Sequence, residues 1–178
     1  MEASHLTPLH TASASGYRDI VGLLLAHSGA AIDLSSQDRG GNTALHLALA
    51  NGHEEVAVSL LMARQEPPTY TTVTDAGSVT SVSALDSQNL QLHTPLMSAV
   101  QSGYLSVVKI LLDRKVNVNL ADEKGKTALH YAAALEMHEI LSLLLGVSGV
   151  DLEARDSNNT TPLHEASSQG RPENVKML

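Results

Sequence analysis

Thr127-Ala128-Leu129-His130-Tyr131-Ala132-Ala133, with Asp122 and Gly125 ahead of it, is one copy of a pattern that runs through the chain. Its opening tetrapeptide recurs as Thr7-Pro8-Leu9-His10, Thr43-Ala44-Leu45-His46, Thr94-Pro95-Leu96-Met97 and Thr161-Pro162-Leu163-His164. The starts of successive copies lie 36, 51, 33 and 34 residues apart. A period near 33 is the mark of stacked structural units, each resting on its neighbours, in place of one shared globular core. Composition agrees. There is no Phe or Trp and only four Tyr in 178 residues, although 43% of residues are hydrophobic. A thin core between flat layers needs Leu, Ala, Val and Ile and no large aromatic centre.

Each residue of the unit has a physical task. The Thr hydroxyl suits a helix N-cap. Pro at the next position suits the first helical turn, where its missing N–H costs nothing. Leu at the third position and Ala three further on are expected to point inward, as Leu45 with Ala48, Leu129 with Ala132 and Leu163 with Ala166. Gly16, Gly52, Gly103 and Gly170 each follow the Thr by nine residues and are expected to end the first helix in the left-handed conformation. A second helical run then begins, with Ile20-Val21, Val56, Val107-Val108 and Ile140-Leu141 on its apolar face. Ahead of the helices, Asp38, Asn89, Asp122 and Asp156 precede Thr by five residues, and Gly41, Gly125 and Asn159 precede it by two. These types make a tight turn with one residue at positive φ.

In these motifs the chain resembles the ankyrin repeat family, whose pattern is a turn with Asp and Gly, Thr-Pro-Leu-His, Ala-Ala, Gly-His, a Val pair, a Leu pair and Val-Asn. Val118-Asn119 with Asp122, Gly125, the tetrapeptide at Thr127 and Ala132-Ala133 carry the resemblance most fully. The resemblance implies a mainly α solenoid of stacked antiparallel helix pairs with projecting β-hairpin-like loops and a concave protein-binding surface. It also implies that the His of the tetrapeptide ties neighbouring hairpin loops. The expected repeats cover roughly 1–30, 31–64, 83–115, 116–148 and 149–178, the last truncated, in one domain over 1–178. Neither end carries a polar capping repeat, so the chain is expected to belong to a longer array.

Three departures stand out. Glu136 replaces the helix-ending Gly of repeat four, which predicts a turn that is strained or reshaped, at a cost of about 1 kcal/mol. Leu92 replaces the turn Gly of repeat three, which predicts an irregular hairpin at Asn89–His93. Residues 65–84 form an insertion rich in Ser and Thr, opened by the helix-stopping Pro67-Pro68. It reads as a surface loop, with strand-favouring types at Thr69–Val73. It is either a tolerated insertion or a regulated or partner-binding loop, whose hydroxyls offer sites for phosphorylation.

Several function classes are excluded or disfavoured. A net charge of −8 weighs against nucleic acid, whose binding rests on phosphate neutralisation. There is no Cys, hence no disulfide framework or thiol chemistry. No apolar stretch approaches membrane-spanning length, and Met1–His5 lacks a signal-peptide pattern. The expected location is intracellular, cytoplasmic or nuclear, which leaves the sequons at Asn158 and Asn159 unused. Helices in a stack stand about 8–10 Å apart. Zinc needs its His donors about 2.1 Å away, so His10, His46, His130 and His164 are expected to be structural. His53-Glu54-Glu55 and His138-Glu139 lack the second His of a zinc-protease helix. Gly146-Val147-Ser148-Gly149 does not fit a nucleophile elbow. No cofactor is called for.

Specificity must then lie in the positions that do not repeat. By the ankyrin arrangement, hairpin tips and inner helices line the groove. Repeat two supplies Arg39, Asn42, Leu47 and Asn51. Leu90, Gln91, His93, Ser98 and Gln101 come from repeat three. Repeat four gives Glu123, Lys124, Lys126, Tyr131 and Leu135, and repeat five Asn158, Thr160, Glu165 and Gln169. Tyr131 is the foremost candidate anchor, since Tyr is enriched among interface hot spots. Asn119 stands where ankyrin repeats resemble substrates of an asparaginyl hydroxylase, with Leu111 upstream; Asn is also simply the common residue there. The expected function is a non-catalytic, monomeric module that binds a partner protein. The alternatives are the recognition segment of a larger ubiquitin ligase or kinase, and a structural spacer in a longer solenoid.

Overall fold

Five seven-residue helices begin directly after the five repeated threonines. The computed structural model of the protein describes residues 6–27, 32–63, 69–73 and 79–178. Its helices are α1 (Pro8–Ala14), α2 (Arg18–His27), α3 (Ala44–Ala50), α4 (Glu54–Met62), α5 (Pro95–Gln101), α6 (Leu105–Asp113), α7 (Ala128–Ala134), α8 (His138–Leu145), α9 (Pro162–Ser168) and α10 (Pro172–Met177). Helices this short are unstable alone. Their stability comes from packing, and within each compact unit they form antiparallel pairs that lie against the next pair. The chain divides into two compact units, Met1–Leu90 and Gln91–Leu178.

The cap is the same device in each repeat. Thr7, Thr43, Thr94, Thr127 and Thr161 are extended, with φ between −79° and −98°. In four repeats the His ring closes a capping box: the Thr127 amide donates to His130 Nδ1 at 3.1 Å, and the Thr7 amide to His10 Nδ1 at 3.2 Å. Because Nδ1 accepts, the ring proton sits on Nε2. Leu49, Leu61 and Val56 fill the core of the first unit, and Leu96, Leu111, Leu129, Ile140, Leu141 and Leu144 that of the second. Leu163, expected to point inward, is instead 42% exposed, because the side of repeat five on which it lies carries no packed helix among the described residues.

Four of the five first helices end as expected. Gly16, Gly52, Gly103 and Gly170 have φ of 73°, 86°, 73° and 66°. The next amide then reaches back to the carbonyl five residues earlier: Tyr17 to Ala12 and Tyr104 to Ala99 at 3.0 Å, His53 to Ala48 and Arg171 to Ala166 at 2.9 Å.

Repeat four takes the second of the two outcomes open to it, a reshaped turn. Glu136 is not left-handed. Leu135 turns extended instead, with φ −81° and ψ 159°. Repeat three corrects the sequence reading. Its hairpin keeps the conformation of its neighbours, because Leu92 adopts φ 57° where Gly41, Gly125 and Asn159 have 73°, 75° and 62°. The regular turn costs about 1–2 kcal/mol in a β-carbon clash that Gly avoids.

In the insertion, β1 (Thr69–Val73) pairs antiparallel with β2 (Val79–Ser83), with Thr69 opposite Ser83 and Val73 opposite Val79. A strand thus spans the stretch read as strand-favouring, and a second, read as loop, pairs with it. A 3-10 turn at Ala84–Asp86 follows. The Pro67-Pro68 helix stop, residues 74–78, residues 28–31 and the Met1–His5 segment lie outside the described residues.

Candidate functional site: the hairpin tips and inner helices

Turn aspartates hold the hairpins. Asp38 Oδ1 accepts from the amides of Gly40 and Asn42, both at 2.8 Å. Asp122 Oδ1 accepts from Lys124 at 2.9 Å and Lys126 at 2.8 Å, and Asp156 Oδ1 from Asn158 and Thr160 at 2.9 Å. The Thr160 amide bond is the main reason that the Asp156 carboxyl lies below the usual carboxylate range.

Adjacent hairpins are then joined through the backbone. In the first unit the Leu90 amide donates to Gly40 O at 2.9 Å. In the second, Glu123 N donates to Gln91 O at 3.0 Å and Ser157 N to Lys124 O at 2.8 Å. This closeness needs glycine: a Cβ on Gly41 would meet Leu90 N at 2.9 Å, and one on Gly125 would meet Asp156 Cα at 3.0 Å. Histidines add a second tie. His10 Nε2 donates to Asn42 O at 3.1 Å, and His130 Nε2 to Thr160 O at 3.1 Å.

On this scaffold, Arg39 and Leu90 are exposed at hairpin tips of the first unit, Asn51 caps α3, and Leu47 is half-buried on α3. Asn51 Nδ2 donates to Leu47 O at 2.8 Å. Asn42 is half-buried and accepts from Asn89 Nδ2 at 2.9 Å. In the second unit Gln91, Gln101, Glu123, Lys124, Asn158 and Gln169 are exposed, and Ser98, Leu135 and Thr160 are half-buried.

The structure brings five residues of the second unit into two polar clusters. Tyr131 Oη donates to Asp122 Oδ2. His93 Nε2 lies 3.3 Å from the same oxygen and 3.2 Å from Tyr131 Oη, with the two rings edge to face at 5.7 Å. Lys126 Nζ pairs with Glu165 at 3.2 Å, both side chains largely screened from water.

Asp122 was readable only as a turn residue; its second oxygen also meets Tyr131 and the His93 of another repeat, which no local spacing reports. Burial pushes the Asp122 carboxyl up. The Tyr131 hydroxyl, the Lys126 and Lys124 amides and the charge on His93 outweigh it, and the net shift is downward. Burial, then the Asp122 hydrogen bond and the charges of Asp122, Glu123 and Glu165, push the Tyr131 phenol up.

The stabilisation carried by Asp122 is therefore complete above the ordinary carboxylate pKa and is lost as pH falls through its lower folded value. Tyr131→Phe is expected to raise the pH at which Asp122 titrates, read by carboxyl NMR, and to move the onset of acid unfolding upward. Unchanged titration would show the hydroxyl to be irrelevant to Asp122.

Asn119 is also engaged. Its Nδ2 donates to Gly149 O at 2.7 Å and its Oδ1 accepts from Asp151 N at 2.9 Å, which ties repeat four to repeat five. No group of three His, Asp or Glu side chains able to hold a metal occurs among the described residues, and no helix there is long and apolar enough to cross a membrane.

Comparison with known proteins agrees with this architecture. A family model for ankyrin repeats in three copies matches residues 1–72, 76–156 and 96–178. An ankyrin repeat domain-containing protein, SAT10, of Stachybotrys chartarum is 30% identical over 90% of this chain and 8% of its own length. The mouse (Mus musculus) nuclear factor NF-kappa-B p105 subunit is 31% identical over 78% of this chain and 13% of its own. Mouse NF-kappa-B inhibitor delta is 33% identical over 75% of this chain and 36% of its own. The chain thus spans about a third or less of the relatives it matches. The capped helix pairs, the Asp-held hairpins joined edge to edge and the family match together place the chain in the ankyrin repeat family.

Proposed function

We propose that the chain is a non-catalytic recognition module that binds a partner protein through the hairpin tips and inner helices. Ankyrin repeats mediate protein–protein interaction, and the relatives include a subunit of NF-kappa-B and a protein named as its inhibitor. Those names also favour an intracellular setting.

The observation that carries the reading is the contrast between a fixed backbone and exposed side chains. Asp38, Asp122 and Asp156 lock each turn, while Arg39, Glu123, Lys124 and Asn158 project from it exposed. A surface ordered before binding loses little entropy when it docks. Tyr131, half-buried and held by Asp122, is the anchor: a large ring with a fixed rotamer and a polar tip.

The test is quantitative capture from cell lysate. A combined Arg39→Ala, Lys124→Ala, Tyr131→Ala variant is expected to lose at least ten-fold of the partner retained by the wild type. Lys109→Ala with Glu139→Ala, on the outer helices, is expected to retain it. Equal retention by the first variant, folded by circular dichroism, contradicts the assignment.

A further inference from the structure

Four hairpins place the same left-handed residue two positions before Thr. It is Gly41, Leu92, Gly125 or Asn159, at φ of 73°, 57°, 75° and 62°. Glycine and asparagine take that conformation readily, whereas in leucine the β-carbon crowds the following carbonyl. Full burial does not offset the crowding, because Leu92 leaves 45% of its surface exposed. Lys115 has the same φ of 57° but directly follows the C-cap of α6, where a left-handed residue ordinarily closes a helix. Leu92 has no such local role. A residue held in a strained conformation by its surroundings points to function.

The chain grips Leu92 from both sides. The preceding Gln91 O accepts from Glu123 N at 3.0 Å. The following His93 places Nε2 3.3 Å from Asp122 Oδ2 and 3.2 Å from Tyr131 Oη. Both neighbours of Leu92 are thus tied to repeat four, and the leucine is presented by a backbone ordered before binding. The hairpin tip joined to it carries one charge of each sign, Glu123 and Lys124, both exposed. An apolar centre with a polar rim is the make-up of a protein interface.

Building on the reading that the hairpin tips bind a partner protein, we propose that Leu92 is a specificity-determining anchor. It enters a leucine-sized apolar pocket of that partner, whose rim carries an acidic group facing Lys124 and a basic group facing Glu123. Entry into the pocket completes the burial that the free chain leaves unfinished at this position. The rigid turn limits the entropy lost on docking.

Leu92→Asn and Leu92→Gly test it, since both relax the turn and remove the apolar side chain. Each is expected to raise the urea midpoint of the chain, yet to lose roughly ten-fold or more of the partner that the wild type retains from cell lysate. A leucine with a purely structural role would instead lower the midpoint when replaced. Leu92→Met, still apolar, is expected to keep most of the retention. A diazirine analogue of leucine at position 92 probes the pocket itself. Irradiation of the captured complex is expected to link it to aliphatic or aromatic residues of the partner. Full retention by Leu92→Asn and Leu92→Gly, a lowered midpoint in both, or cross-links confined to polar partner residues or to a second copy of this chain overturns the proposal and leaves the wider groove reading standing. A wild type that retains no partner overturns both.

Discussion

Asn174→Ala is expected to destabilise the second unit by roughly 2–5 kcal/mol, because it leaves several helix-end carbonyls without a donor. The four repeats with Gly nine residues after Thr close their first helix through their own backbone. Repeat four, with Glu136, does not: Ala132 O accepts from the nearer Leu135 amide at 3.2 Å, in place of the five-residue reach that Arg171 makes to Ala166. Repeat five supplies the missing donors. Asn174 Nδ2 donates to Ala133 O at 2.9 Å and Leu135 O at 2.7 Å, and Arg171 Nε donates to Ala134 O at 2.9 Å. Asn174 Oδ1 accepts from His138 Nδ1 at 2.8 Å, and Arg171 pairs with Glu136 itself.

Urea unfolding of the variant measures the loss. Glu136→Gly in the same background is expected to restore part of it, by letting α7 close as the other first helices do. If Asn174→Ala costs no more than an ordinary surface change, within about 0.5 kcal/mol, the side-chain closure is not what holds α7.

Gly125→Val is expected to cost about 3 kcal/mol or more. The left-handed φ of 75° accounts for about 1–2 kcal/mol of that, and a β-branched residue sits at the high end. The rest is steric. The added Cβ would lie 3.0 Å from Asp156 Cα and 3.1 Å from Ser157 N, both backbone atoms with no room to rotate away. Relief requires hairpins four and five to part, which breaks the Ser157–Lys124 bond and strains His130–Thr160. Gly125→Ala is expected to cost less, in the same direction. Thermal unfolding and the exchange rates of the Ser157 and Thr160 amides both report it. Unchanged exchange at Ser157 would mean that the hairpins are not joined there.

What was legible in the sequence was local. Thr, Pro, Gly and Asp announce their conformations because cap and turn chemistry spans three to five residues, and so the capped helices and the Asp-held turns were readable. Features that cross repeats were not, apart from the histidine ties that the family resemblance implied. The clustering of His93, Asp122 and Tyr131 needs a residue just before one Thr to meet a turn acid and a helix residue of the next repeat, and no period marks it. Leu92 hid an ordinary turn behind a residue type that resists it. Asn174 was detectable in principle: it is the polar residue in register with Ile20, Val56, Val107 and Ile140, and a buried polar group implies a partner. The partner-facing residues carry no pattern at all, since a surface that specifies one partner has no reason to repeat.

Hydrogen exchange of the chain with and without its captured partner tests the central claim most directly. Partner-dependent protection is expected at the Glu123–Lys124 and Asn158 hairpin tips and along α7 around Tyr131, with α6, α8 and α10 unchanged. Protection confined to those outer helices, with the hairpin tips exchanging as in the free chain, would contradict the account.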